Sequence, residues 1–308
     1  MSAMVHRSNN FDPEGAKALP ASSFLDGFNL DQINALVDSW LVEDLGGAGD
    51  ITAQSTIPSA SRARATLCVK QPCVLAGLDL FALILRRLDT DVQFETLISD
   101  GSIIESVPAS VARLEGGSRA ILAAERTALN LLQRLSGIAT ITGKFVNLTK
   151  DAGIQILDTR KTTPGLRALE KRAVLIGGGT NHRFGLYDRI LIKDNHIAVA
   201  GSVTEAVSRA RLMFPEHAVE VEVTTFAQLQ EALASQAETI MLDNMSPDMV
   251  REAVKQVDKH AFIEVSGGVN AENIQSYLIE GVNAISIGAL THSGKSIDIS
   301  LEFEEQKP

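Results

Sequence analysis

From residue 150 onward, short apolar runs alternate with amphipathic stretches in a regular order. The apolar runs have the length of β-strands and cover residues 154–157, 189–192, 219–223, 239–242, 262–265 and 284–287. The stretches between them, such as 203–214 and 247–257, carry apolar residues at helical spacing. This alternation predicts parallel strands joined by right-handed helical crossovers. A barrel and an open doubly wound sheet both satisfy it, but no G-x-G-x-x-G follows the first run, which disfavours a dinucleotide-binding open sheet.

The first half of the chain has a different pattern, which is typical of a mixed sandwich of helices and strands. Helices are predicted over residues 30–45 and near 78–88, followed later by two long helices over 119–135 and 137–151. Strand-like segments cover residues 63–75, 92–98, 103–107 and 111–114, with a turn at Asp100-Gly101. A last alternating run at 297–303 predicts an edge strand that returns to this half of the molecule.

Composition and charge narrow the class of protein. The chain has 308 residues, is 45% hydrophobic and carries a formal net charge of −10, which argues against a nucleic-acid or anionic-membrane partner. No apolar run reaches the roughly 18 residues of a spanning helix. We expect a cytoplasmic protein whose residues 1–25 form a polar lead-in. Cys68 and Cys73 are expected to be small core residues in a reducing compartment.

Polar residues gather at the ends of the six apolar runs. In chain order these are Asp158–Lys161, Lys193–His196, Glu220 and Glu222, Asp243-Asn244, Ser266–Gly268, and Gly288-Ala289. In a parallel α/β barrel the carboxyl ends of the strands meet at one face, and that face holds the active site. Because every run ends this way, we predict a functional site there.

Charge and glycine indicate what this site binds. Residues 158–196 contain eight Lys or Arg and four acidic residues, a net +4 within an acidic chain, which predicts an anionic ligand at Arg160 and Lys161. Arg167, Lys171 and Arg172 lie in a predicted helix and are interpreted as solvated or structural.

The glycines after the last two strands favour a phosphate site, although tight turns would also require them. Glu222 and Asp243 are placed to face the same cavity, as partners of a sugar or Mg²⁺; a salt bridge from Glu222 to Lys193 or Arg160 is the structural alternative. His182 and His196 flank the site.

Several long blocks of the sequence, in order, resemble the quinolinate phosphoribosyltransferase family, a group of type II phosphoribosyltransferases. The resemblance covers the chain from about residue 30 to its end. The blocks are AERTALNLLQRLSGIAT (124–140), DTRKTTPGLRALEKRAV (158–174), GGGTNHRFGLYDRILIKDNH (177–196), VEVEV (219–223), MLDN (241–244), EVSGGV (264–269) and ISIGALTHS (285–293).

The resemblance implies a reaction and a fold. Quinolinate and 5-phosphoribosyl 1-pyrophosphate would give nicotinate mononucleotide, pyrophosphate and CO₂, with Mg²⁺, in NAD synthesis. The implied fold is an N-terminal α/β sandwich followed by an incomplete parallel α/β barrel of about six strands. We expect the sandwich to contain residues 26–136 and 292–308 and the barrel 137–291. The implied assembly is a homodimer or a larger homo-oligomer.

The resemblance also implies roles for individual residues. The implied quinolinate-binding residues are Thr159, Arg160, Lys161, His182, Arg183, Lys193 and, supplied by a neighbouring subunit, Arg126. The implied phosphoribosyl pyrophosphate site contains Lys193, Glu222, Asp243, Ser266, Gly267, Gly268, Ile287, Gly288 and Ala289. Lys161, Glu222 and Asp243 are the expected catalytic residues, and Glu222 and Asp243 the expected Mg²⁺ ligands.

Three alternatives stay open at this point. The first is a relative that acts on nicotinate; because nicotinate has one carboxylate, such an enzyme would need fewer cationic side chains. A relative associated with molybdenum transport has a less clear role, and a non-catalytic sensor of anionic metabolites would need no carboxylates beside the phosphate loops. The signature of type I phosphoribosyltransferases, two adjacent acids after an apolar strand, is not found, which disfavours that fold.

Overall fold

A computed structural model describes residues 24–304, so most of the predicted lead-in lies outside the described residues. The chain forms two compact units. Within the described residues, the first comprises residues 24–141, Leu175–Gly177 and residues 294–304, and the second Thr142–Val174 and Gly178–Ser293. The predicted domain boundaries stay a prediction.

Helices and strands follow one another along the chain from α1 to β12. Those up to the long helix are α1 Leu30–Leu45, α2 Ile51–Thr56, β1 Arg62–Val69, β2 Cys73–Val74, α3 Leu78–Leu88, β3 Gln93–Thr96, β4 Ile103–Ile104, β5 Ala109–Gly117 and α4 Ser118–Thr149. Those that follow are β6 Gln155–Leu157, α5 Arg167–Ile176, β7 Ile190–Ile192, α6 Asp194–Ala200, α7 Val203–Met213, β8 Val219–Val223, α8 Phe226–Ala234, β9 Thr239–Asp243, α9 Pro247–Val257, β10 Phe262–Ser266, β11 Ala284–Ser286, α10 Ala289–His292 and β12 Ile299–Phe303. Short 3₁₀ helices cover Lys150–Ala152 and Ile274–Tyr277.

The first unit contains an antiparallel sheet with the strand order β12-β1-β5-β3. The last strand, β12, pairs with β1 and forms one edge, which confirms the predicted return of residues 297–303. Cys68 and Cys73 are buried thiols without a disulfide in the described chain, as expected of core residues. Burial raises the pKa of Cys73 to about 11, so this thiol stays protonated at neutral pH.

The helix α4 corrects one prediction. Two helices over 119–135 and 137–151 were predicted, whereas one helix of 32 residues runs through Gly137. A Cβ atom at Gly137 would overlap the carbonyl oxygen of Lys295. Glycine at this position therefore allows the segment around Lys295 to pack closely against the helix, and it does not interrupt the helix.

The second unit contains a six-stranded parallel sheet with the order β6-β11-β10-β9-β8-β7, and its strands occupy the six predicted apolar runs. The end strands β6 and β7 do not pair with each other in the described part of the chain, so the barrel is incomplete. On β8, the three valines are buried and alternate with Glu220 and Glu222. Since neighbouring strand residues point to opposite faces, the glutamates share the face opposite the valines.

A membrane-spanning segment is not found between residues 24 and 304, where every helix is too short or too polar to cross a bilayer.

Candidate active site

The end of β6 begins with a buried acid and continues into cations. Asp158 is fully buried and accepts the backbone N–H of His182 at 2.9 Å and the ammonium of Lys171. Burial raises the pKa of Asp158 to about 6, although Lys171 opposes the shift. Asp158 is therefore an internal anchor, and the chain turns outward only at the residues that follow it.

Lys171, on α5, is the cationic partner of that anchor. Its side chain is 1% exposed. Burial lowers the pKa of Lys171, and the adjacent Asp158 carboxylate counteracts this. Its Nζ also donates to the His182 carbonyl at 3.0 Å. Of the two interpretations made from the sequence, solvated or structural, the structure supports the structural one.

Arg160, Lys161 and Arg183 supply the positive charge of the site. The Nε of Arg160 is buried and has no hydrogen-bond partner among residues 24–304, whereas Lys161 is exposed. Burial lowers the pKa of Arg183, and repulsion from Arg160 lowers it further. Arg160 and Arg183 repel one another, and the buried Nε of Arg160 is a donor without a partner in the described part of the chain. This electrostatic environment favours binding of an anion.

His182 is buried next to Arg183. Its ring is buried, its Nδ1 accepts the N–H of Arg183 at 2.7 Å, and its Nε2 lies 3.2 Å from Glu220 and 3.5 Å from Glu264. Burial lowers the pKa of His182, but the nearby carboxylates of Glu220 and Glu264 raise it overall. The N–H of Arg183 donates to Nδ1 and so disfavours a proton on that nitrogen. The proton therefore belongs on Nε2, directed at Glu220.

Glu220 and Glu264 form a buried acidic pair in the sheet interior. Burial favours the neutral form of Glu220, but His182 and Arg189 lower its pKa overall. Burial and the neighbouring Glu220 raise the pKa of Glu264 to about 8. With His182 these residues have the donor atoms of a metal site. A metal on Nε2 would require Nδ1 to carry the ring proton, and the Arg183 N–H already occupies that position.

Glu222 and Asp243 lie on one face of adjacent strands. Glu222 is opposite Met241 on β9, so Asp243, two residues further, shares its face. Lys193 pairs with Glu222, which is the contact expected from the structural alternative. Asn244 donates to Asp243 at 2.8 Å. Two carboxylates at the carboxyl ends of parallel strands provide the hard oxygen ligands that Mg²⁺ prefers, so the residues present fit this ion.

The glycine loops lie at the ends of the last two barrel strands. Gly267 and Gly268 adopt φ values of +87° and +66°. A Cβ at Gly267 would lie 2.8 Å from the backbone nitrogen of Asn244, so a larger residue does not fit there. At Gly288, a Cβ would lie 2.8 Å from Cδ of Lys161, so the glycine leaves space for this side chain. Thr291 Oγ1 donates to the Lys161 carbonyl at 2.7 Å and joins the two strand ends.

The remaining predicted residues have simpler surroundings. Thr159 Oγ1 accepts the N–H of Lys161 at 3.0 Å, and the Ile287 N–H donates to Leu157 at 2.9 Å. Ser266 and Ala289 are half-buried at their strand ends. His196 is exposed and its Nδ1 accepts the N–H of Lys193 at 2.9 Å. Arg126 is exposed on α4, in the first unit.

Sequence reasoning counted Asp158 among the polar strand ends but gave it no specific role, assigned no site role to Asn181 and Glu264, and treated Lys171 only as solvated or structural. Asp158 and Glu264 lie in or directly after buried strands, which is an unusual place for an acid and is a usable signal. Asn181 gave no signal.

Comparisons with known proteins decide the family. Residues 138–302 match the family model described as the C-terminal domain of quinolinate phosphoribosyl transferase, and residues 50–136 match its N-terminal domain. The chain belongs to the quinolinate phosphoribosyltransferase family. Its activity is that of a quinolinate phosphoribosyltransferase (decarboxylating), or nicotinate-nucleotide pyrophosphorylase (carboxylating), in de novo NAD biosynthesis, which confirms the predicted function.

Individual relatives agree with this assignment. The probable nicotinate-nucleotide pyrophosphorylase of Bacillus subtilis is 45% identical over 272 residues, covering 88% of this chain and 93% of that protein. The enzyme of Mycobacterium leprae is 41% identical over 268 residues, covering 85% and 94%. The crystal structure of NadC from Streptococcus pyogenes superposes with a TM-score of 0.85 at 39% identity, covering 90% of this chain and 99% of that one. The predicted fold, a sandwich followed by an incomplete barrel, is confirmed.

Proposed function

We propose that Arg160, Lys161 and Arg183 form the dicarboxylate-binding site for quinolinate in this enzyme. The observation that carries the proposal is the buried Nε of Arg160, which has no partner within the described chain and lies close enough to Arg183 to lower its pKa. Quinolinate carries two adjacent carboxylates, and guanidinium groups bind carboxylates through paired hydrogen bonds. Nicotinate has only one carboxylate and would leave part of the positive charge of Arg160, Lys161 and Arg183 without a partner.

The other assignments follow the family pattern. Thr159, His182 and Lys193 complete the quinolinate site, and His182 contributes through the hydrogen bond that it accepts from the Arg183 backbone. Arg126 is proposed to reach the site of a neighbouring copy in a homodimer or larger homo-oligomer.

The phosphoribosyl pyrophosphate site is proposed at the remaining strand ends. The residues assigned to it are Ser266, Gly267, Gly268, Ile287, Gly288 and Ala289 for the 5-phosphate, and Lys193, Glu222 and Asp243 for the ribose. The positive φ of both Gly267 and Gly268 supports this, because successive backbone amides in such turns converge on an anion. Lys161 adds a charge next to Gly288.

The reaction needs positioning and charge more than proton transfer. As pyrophosphate leaves C1 of the ribose, positive charge develops on the ring, and the carboxylates of Glu222 and Asp243 stabilise it. The pyridine nitrogen then bonds to C1. Arg160 and Arg183 hold the substrate for this attack. The resulting pyridinium accepts the electron pair released when the 2-carboxylate leaves as CO₂, and that carbon then takes a proton.

Glu222 and Asp243 are also the residues that would hold Mg²⁺. When bound, the ion would neutralise negative charge on the departing pyrophosphate. The Lys193–Glu222 ion pair would have to give way, or be shared, when the substrates and the ion occupy the site.

The experiment is a comparison of Arg160→Ala with wild type in steady-state kinetics, following CO₂ from carboxyl-labelled quinolinate. We expect KM for quinolinate to rise about 100-fold, because a bidentate ionic contact is lost, while the melting temperature is unchanged. Arg209→Ala, which removes an exposed cation of the same unit, is the matched control. Unchanged quinolinate kinetics in Arg160→Ala would remove this arginine from the site, and turnover of nicotinate by wild type would contradict a dicarboxylate site.

A further inference from the structure

The helix α5 presents charged side chains to the protein interior instead of to solvent. Arg167, Glu170 and Lys171 lie at i, i+3 and i+4 and therefore share one face of the helix. Glu170 and Lys171 are buried, and Arg167 is half-buried. A surface helix normally turns apolar residues to the core, so three charges on this face need another explanation.

Each of the three charges holds backbone or side-chain atoms of the loops that carry the site cations. Arg167 donates to Thr162 Oγ1 at 2.9 Å and to the carbonyl of Phe184 at 3.2 Å. Glu170 accepts the N–H of Thr163 at 3.1 Å. The helix thus contacts both the loop after Arg160 and the loop after Arg183.

The contact made by Lys171 is the most constrained. Its Nζ donates to the Asp158 carboxylate and to the carbonyl of His182, while the same carboxylate accepts the N–H of His182. One buried ion pair therefore fixes the backbone N–H and the carbonyl of a single residue. With its amide oriented to satisfy both neighbours, Asn181 donates to Asp158 at 2.6 Å and to the Lys171 carbonyl at 2.9 Å.

The residue that follows His182, whose backbone the Lys171–Asp158 pair holds, is Arg183. Desolvation and repulsion from Arg160 disfavour its charged guanidinium and lower the pKa of Arg183, and the carboxylates of Glu220 and Asp188 only partly offset this. The backbone of residues 181–183 is thus held in place against an unfavourable charge arrangement. A well-packed apolar pair at positions 158 and 171 would stabilise the fold as well or better, but it would bond neither backbone group of His182.

We infer that Lys171, through its ion pair with Asp158, is a positioning residue that fixes the His182 backbone and thereby keeps Arg183 beside Arg160 in the quinolinate site. The inference rests on the proposed function, since it takes these two arginines as the dicarboxylate-binding groups. Lys171 itself touches no substrate.

The test uses steady-state kinetics with both substrates varied, on full-length Lys171→Met and on the double variant Asp158→Asn/Lys171→Met. The single variant leaves a buried carboxylate without its cation and is expected to lower the melting temperature. The double variant leaves no unpaired buried charge, so its melting temperature should recover. In both, we expect KM for quinolinate to rise about tenfold and KM for phosphoribosyl pyrophosphate to change less than about twofold.

Val250→Ala is the matched control, because it removes buried volume from α9 of the same unit without touching either loop. It should lower the melting temperature with both KM values unchanged. Recovery of the quinolinate KM together with stability in the double variant would show a merely structural pair and overturn the inference. Equal rises in both KM values would overturn it as well.

The Arg160→Ala variant distinguishes a failure of the positioning role of Lys171 from a failure of the proposed quinolinate site. If Arg160→Ala raises the quinolinate KM and the double variant does not, the positioning role fails and the site stands. If neither does, the proposed site itself is wrong.

Discussion

The two units of this enzyme differ in where they place paired charges: both have exposed ion pairs, such as Arg209 with Glu205 in the second unit, but the second unit also has buried ones. In the first unit the ion pairs lie on the surface: the side chains of Arg64 and Glu115 are 66% and 39% exposed. In the second unit the side chains of Lys171 and Asp158 are 1% and 0% exposed, and those of His182 and Glu220 are 6% and 1% exposed. Exposed pairs contribute little to stability, and buried pairs require desolvation of both charges. Buried charge in the second unit is therefore a marker of function.

The difference follows from the two kinds of sheet. Along β1 and β5 of the antiparallel sheet, several charged residues point to solvent and pair across the strands, as Arg64 and Glu115 do. In the parallel sheet, helices cover one face and the incomplete barrel encloses the other, so Glu220 and Glu264 have no route to solvent. An acid placed there must be neutralised by another group or by a proton.

The strongest way to test this contrast is to remove one partner of the buried pair. Asp158→Ala leaves the Lys171 ammonium without a counter-charge and also frees the N–H of His182. We expect the free energy of unfolding to fall by about 3–5 kcal/mol, measured by urea denaturation at pH 7. A loss below about 1 kcal/mol would mean that the interior solvates Lys171 by other means, and the contrast between the units would weaken.

A second test concerns Glu264, which has no hydrogen-bond partner for either carboxylate oxygen within residues 24–304. Its pKa is raised from 4.5 to about 8, so the folded protein holds this proton more tightly than the unfolded chain does. Between pH 4.5 and pH 8 the unfolded chain loses this proton while the folded protein keeps it, so the stability that the proton contributes falls with rising pH and is gone once the folded carboxyl ionises near pH 8.

Glu264→Gln should accordingly be more stable than wild type above pH 8, with a smaller difference near pH 5. Thermal denaturation across this pH range measures the effect. Glu280→Gln, at an exposed position, is the control and should follow the wild-type curve. A Glu264→Gln variant that is less stable than wild type at high pH would show that the carboxylate is charged and usefully paired.

The smallest effect is expected in the first unit. Arg64→Ala removes an exposed cation from β1 that pairs with Glu115 at 2.7 Å. Because solvent screens both groups, we expect the melting temperature to stay within replicate scatter of wild type. A loss comparable to that of Asp158→Ala would show that surface and buried pairs are equivalent in this protein, which would break the comparison.

The pattern of the sequence predicted the strands of the second unit, because short apolar runs report burial, and their parallel direction, because these runs alternate with helical stretches. In the first unit the predicted strand over 63–75 is divided into β1 and β2, which belong to different sheets. The pattern failed at Gly137, where one continuous helix replaces two, because the close approach of Lys295 involves a residue far away in the chain. The position of Arg160 at a strand end was predictable from the local pattern. The role of Lys171 was not, because it depends on a contact between separate segments of the chain. A lysine on a helix is usually solvated, and only the fold brings it to Asp158.

The Lys193–Glu222 pair shows where the sequence left a choice open. Both a ribose or Mg²⁺ role and a salt bridge were consistent with Glu222, and the pair with Lys193 is present in the fold. The two roles are compatible, because the partly exposed Lys193 can exchange its carboxylate partner for a substrate group.

The central claim is that the buried charges of the second unit hold Arg160 and Arg183 as the quinolinate site. A crystal structure of the wild-type enzyme with quinolinate tests it most directly. We expect both carboxylates of the substrate to lie within hydrogen-bond distance of Arg160, Lys161 or Arg183, with the Asp158–Lys171 contact to the His182 backbone intact. Density for quinolinate away from all three cations would contradict it.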